Sequence, residues 1–144
     1  MRLGLGLGIV QAQPPAGKLA TEWAGRIAAN GGTITPAAVS AAATLIAALR
    51  SLGVWDALDR FNPYAGSGGS ATENLAGALV PLVARLGNPV DTIVNGGPSN
   101  YVVTGGMVAD NSVYFRTGAV PRNAIGGLLL AINTGVAMGN RIYG

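Results

Sequence analysis

Residues 17–53 read GKLATEWAGRIAANGGTITPAAVSAAATLIAALRSLG, and their spacing decides the first half of the fold. Leu19, Trp23 and Ile27 recur every fourth residue, which places them on one face of a helix. Asn30, Gly31 and Gly32 follow, residues that adopt the left-handed conformation closing a helix. Thr35 then offers an N-cap oxygen and Pro36 occupies the first helical position, where a missing N–H is harmless. Val39, Ala42, Ala43, Ile46, Leu49 and Leu52, at spacings of three and four, form the expected buried stripe of a second helix, which Gly53 ends. The alanines permit close approach, so the stretch predicts an antiparallel helical pair joined by NGGTI.

Outward from this pair the helical pattern weakens. VWDALDRF (54–61) predicts a short third helix whose Trp55 and Phe61 cover the end of the pair, with Asp56 and Asp59 on its solvated face. NPYAGSGGS is a loop. Ser70 and Glu73 have capping-box spacing and open one more short helix through about Leu79, limited by Pro81. After Gly87 the style changes to β-branched and aromatic residues between Gly and Asn turns. ADNS (109–112) predicts a turn joining YVVTGGMV to SVYFRTG as a hairpin, and NRIYG at 140–144 a last strand. Four or five short strands after a helical pair give an α+β class, with a small, partial antiparallel sheet whose edges call for cover. The chain thus divides into an N-terminal arm (1–17), a helical domain (18–86) and a small β region (87–144).

The arm carries RLGLGLGIV at 2–10. Its period of two places Leu3, Leu5, Leu7 and Ile9 on one side of an extended chain and glycines on the other. Such a segment gains nothing from solvent and loses much backbone entropy on ordering, so these four residues are the candidate partner-binding positions. Pro14 and Pro15 follow as a stiff spacer. The apolar run is short and half glycine, a poor secretory signal, and no stretch supplies the roughly 20 continuous apolar residues of a membrane span.

Composition removes most chemistry. There is no Cys and no His, so no thiolate nucleophile, disulfide framework, zinc–thiolate site or imidazole base is available. No metal site or cofactor is expected. GSGGS at 66–70 lacks the following Lys of a phosphate-binding loop, and GLGLG lacks the following helix of a dinucleotide fingerprint. Asp56, Asp59 and Asp110 are the acids a glycan hydrolase would draw on, yet a solvated helix face and a turn account for them more simply. Only 10% of residues are charged, well under the roughly 25% of average proteins, so a subunit covered by neighbours is expected. The net charge of +3 is scattered and forms no basic stripe, so no nucleic-acid partner is expected.

ATEWAGRIAANGGTIT (20–35), NLAGALVPLV (74–83) and IVNG…MVADNSVYFRTG (93–118), in that order after a Leu/Gly-rich front end, resemble a class of tailed-phage and prophage proteins. These have a helical-hairpin prefix followed by the opening strands of a concanavalin-like (LamG-like) jelly roll. Residues 119–144 are too few to complete such a roll, so the resemblance implies a non-enzymatic virion component: a capsid decoration, fibre or tail-appendage subunit. It would form a homo-oligomer and attach to other virion proteins of the capsid or tail. The alternative is a carbohydrate- or receptor-binding module that uses Trp55, Tyr64, Tyr101 and Tyr114 as stacking platforms.

Overall fold

The computed structural model describes residues 13–108 and 112–119. The class is α+β. Helix α1 spans Ala16–Ala29 and α2 spans Pro36–Ser51. They pack as the expected pair, with Ala20, Trp23, Ile27, Ala42 and Ile46 buried between them and the segment around Val80–Val83. Thr35 caps α2 through a hydrogen bond from the Ala38 amide, with Pro36 at the first position. Gly31 closes α1 at φ +72°. Gly32 serves packing instead, since a Cβ there would lie 2.3 Å from the Gly77 amide nitrogen. The interhelix loop therefore touches the backbone of α3 (Ala71–Ala78), which opens with the expected Ser70–Glu73 capping box.

Two expectations about this half change. Leu52 is not in the buried stripe; it is 73% exposed, because α2 ends at Ser51 and Gly53, at φ +69°, turns the chain away. VWDALDRF forms no full helix, only a single 3₁₀ turn at Trp55–Ala57. The cause is Arg85, whose Nη1 takes the carbonyls of Trp55, Asp56 and Leu58 at 2.8–3.0 Å, oxygens that a continuing helix would need for itself. Leu58 is extended and leads into strand β1 (Arg60–Phe61). Trp55 and Phe61 nevertheless pack on the helical core as expected.

Among the described residues, six short strands form three two-stranded antiparallel ladders. β1 pairs with β2 (Val83–Ala84), and β4 (Tyr101–Val102) with β5 (Gly106–Met107). β3 (Thr92–Val94) pairs with β6 (Tyr114–Arg116) in the register Thr92↔Arg116, Ile93↔Phe115, Val94↔Tyr114. The expected hairpin between YVVTGGMV and SVYFRTG is thus replaced. YVVTGGMV reverses on itself, with Gly106 at φ +80° in a conformation glycine adopts freely, and SVYFRTG pairs with TIV instead. Among the described residues no barrel closes, and no helix is long and apolar enough to cross a membrane. ADNS up to Asn111, and NRIYG, lie outside the described residues.

A second small core, Leu75, Ala78 and Tyr101, joins α3 to the β4–β5 hairpin. The Tyr101 hydroxyl donates to the Gly66 carbonyl at 2.7 Å and accepts from the Gly66 amide at 2.8 Å, so a buried polar group is satisfied on both sides.

Candidate interaction site

Leu3, Leu5, Leu7 and Ile9 lie outside the described residues, as does Asp110. What is described is the root of their segment. Pro15, at φ −53° and ψ 146°, is the N-cap of α1, and Gln13 and Pro14 cross a cleft beside it. The Gln13 Nε2 donates to Asp56 Oδ2 at 2.8 Å, and Arg50 Nη1 donates to the Pro14 carbonyl at 2.6 Å. Gln13 and Pro14 are therefore held in place by one side chain of α2 and one of the 3₁₀ turn.

The cleft has a volume of about 350 Å³. Leu19, Leu82 and Val83 make its apolar lining, and Arg50, Asp56 and Arg85 its polar part. Both guanidinium groups lie over the Trp55 ring, at 5.7 Å for Arg50 and 5.9 Å for Arg85, within cation–π range. Arg85 Nη2 also faces Asp56 Oδ1 at 3.8 Å. Between Arg50 and Trp55 the chain exposes Leu52 and Val54, the latter by 39%. The result is a hollow lined by both apolar and charged side chains. A second hollow, of about 460 Å³, lies between the end of α1, the interhelix loop and Ser67–Gly68.

The acids do not converge. Asp56 and Asp59 are exposed, Asp56 being engaged with Gln13 and Arg85. Glu73 serves the capping box, where hydrogen bonds from the Ser70 amide and then from its hydroxyl hold the carboxyl below its ordinary pKa. Among the described residues no group of three or more potential metal ligands exists.

Asp91 occupies a position that no spacing in the sequence signals. Its buried carboxylate accepts from Arg60 Nη2 and from Asn62 Nδ2 (2.7 Å), and its amide donates to the Leu79 carbonyl at 2.7 Å. Arg60 Nη1 donates further to the carbonyls of Leu86 (2.9 Å) and Asn88 (2.7 Å). Beside them Tyr64 sits at φ +49°, its amide held by Asn62 Oδ1, with its ring 5.4 Å from that of Phe115. Burial, and after it the Asp91 carboxylate, push the Tyr64 phenol up to about 12. The polar partners in this cluster come from within the chain, which reads as a clamp between the helical half and the strands.

The four candidate stacking aromatics scatter. Trp55 is 7% and Tyr101 8% exposed, Tyr64 belongs to the clamp, and of the four only Tyr114 presents a ring at the surface, with Arg116 over it. Compared with protein-family models, curated proteins and solved structures, the chain matches none.

Proposed function

We propose that this chain is a non-enzymatic structural subunit of a phage virion, a capsid decoration, fibre or tail-appendage protein that attaches through residues 2–10 to another protein of the particle. The observation that carries the reading is the fixed root at Gln13–Pro14. A Leu/Gly segment with alternating apolar side chains precedes residues pinned by Arg50 and Asp56, which suits an arm anchored to its domain at a defined point. Leu3, Leu5, Leu7 and Ile9 would fill pockets at alternate positions, as in strand addition, and the intervening glycines would let the two backbones approach closely.

The chemistry of the described residues supports the same reading. Of the described carboxylates, Glu73 serves a cap, Asp91 a clamp and Asp56 the cleft rim, and the chain has neither Cys nor His. The scatter of Trp55, Tyr64, Tyr101 and Tyr114 favours attachment over glycan stacking. Among the described residues each ladder has only two strands, and Val102, Val103 and Val108 are exposed on and beside the β4–β5 hairpin, a surface that neighbours in a homo-oligomer would cover. Deleting residues 2–10 tests the proposal: the truncated protein is expected to stay folded and to be absent from purified particles.

A further inference from the structure

We infer that Asn95–Gly96 is a self-modification site, where the Asn95 side chain cyclises with the Gly96 amide and opens to aspartate or isoaspartate, and that this conversion loosens the β3–β6 ladder.

The chain contains two Asn–Gly pairs, Asn30–Gly31 and Asn95–Gly96. In such a pair the glycine amide nitrogen can reach the asparagine Cγ, because glycine carries no side chain to crowd the approach. The nitrogen loses its proton to solvent and forms a bond to Cγ. The Cγ–Nδ2 bond breaks, and the side-chain nitrogen takes up a proton and leaves as ammonia. Water then adds to one of the two carbonyls of the succinimide. Opening at Cγ gives aspartate, and opening at the main-chain carbonyl gives isoaspartate, with the chain running through Cγ. Water is the only co-reactant.

The fold treats the two pairs differently. At the end of α1 both reacting groups are bound: the Gly31 amide donates to the Ala28 carbonyl at 3.0 Å, and Asn30 Nδ2 donates to the Ala76 carbonyl at 2.9 Å. Asn95 is exposed in the bend after β3, and among the described residues the Gly96 amide has no hydrogen-bond acceptor. Only Asn95 Nδ2 is held, by the Ser112 carbonyl at 3.2 Å. The nucleophile at position 96 is therefore free, whereas the one at position 31 must first give up a helix-end bond.

Packing keeps the reactive pair in place. A Cβ on residue 96 would lie 2.5 Å from Ile93 Cδ1 and 2.9 Å from Val113 Cγ1, so glycine lets the end of β3 pack beside the residue that precedes β6. Asn95 itself sits at φ +58°, a region that asparagine tolerates better than most side chains. Its bond to Ser112 fastens this bend to the approach to β6, and the ladder it secures has three residue pairs. A carboxylate has no N–H to donate. Conversion thus removes the bond and sets a negative charge against a carbonyl oxygen, and isoaspartate also adds a methylene to the main chain at the ladder's end.

The full chain is incubated at mildly alkaline pH, its asparagine peptides are followed by mass spectrometry, and isoaspartate is located by methyltransferase labelling. In the folded protein Asn95 is expected to convert roughly fivefold faster than Asn30, the factor that one further hydrogen bond supplies. In denaturant the two pairs should convert at like rates. Equal rates in the folded protein, or Asn30 ahead, overturn the site. Hydrogen exchange reads the consequence. After conversion the amides of Thr92–Val94 and Tyr114–Arg116 are expected to exchange faster than before. Asn95→Gly, which accepts the same φ and cannot cyclise, is expected to show no change with incubation time. Converted Asn95 with unchanged exchange in the ladder contradicts the loosening, and a ladder that loosens equally in Asn95→Gly contradicts Asn95 as its cause.

Discussion

Asp91 is enclosed between Arg60 and Asn62, and removing it leaves a guanidinium with little access to water and no counter-charge. Asp91→Ala is expected to cost about 3–5 kcal/mol of stability, measured by denaturant unfolding, because a buried charge loses its partner. Tyr64 adds a pH signature. Folding raises its pKa from 10 to about 12, so its contribution to stability is present below pH 10 and is lost as pH rises through about 12. Tyr64→Phe should flatten the alkaline limb of a plot of Tm against pH. Glu73 has the opposite sign: its folded pKa lies below 4.5, so its contribution is present above that value and lost as pH falls through the folded one. Glu73→Gln should remove that part of the acid limb. Of these residues, Glu73 was legible from sequence, since a capping box is a local pattern of four residues, Ser70 to Glu73. Asp91 and Arg60 are 31 positions apart, and neither has neighbours that mark it for burial, so only the fold brings them together.

At the scale of elements, α1 holds the core through Trp23, which is 1% exposed and whose Nε1 donates to the Val80 carbonyl at 2.9 Å. Trp23→Ala should cost about 3–5 kcal/mol, by the loss of a large buried ring. Two glycines of the helical pair separate propensity from packing. Gly25 lies inside α1 with nothing near a Cβ, so Gly25→Ala should stabilise by up to about 1 kcal/mol. Gly32 touches the backbone of α3, so Gly32→Ala should destabilise, and the two melting temperatures should move in opposite directions. The helices were legible because their apolar spacing runs over several turns. The strand pairing was not: ladders of two or three residues carry too short a pattern to specify partners, and Gly105–Gly106 lets YVVTGGMV close on itself rather than pair with SVYFRTG. The loss of the third helix follows from Arg85, a residue 30 positions beyond the turn whose carbonyls it takes.

At the scale of the whole molecule, a helical pair and short α3 accompany three small ladders, and a clamp at Arg60–Asp91 ties β1 and the end of α3 to the segment that leads into β3. The α+β class was readable from the change of sequence style after Gly87. The cleft was not, because it gathers Gln13, Arg50, Trp55 and Arg85 from four separate stretches. The alternating Leu/Gly stretch stands out in the sequence, and the described residues that follow it, Gln13 and Pro14, are fixed by Asp56 and Arg50. An arm that serves attachment is dispensable for folding, whereas one that belongs to the chain's own core is not. The decisive measurement follows the protein lacking residues 2–10 through both thermal unfolding and co-purification with particles. A Tm close to that of the intact protein together with loss from particles is the predicted result; a truncated protein that unfolds, or one that enters particles in undiminished amount, contradicts it.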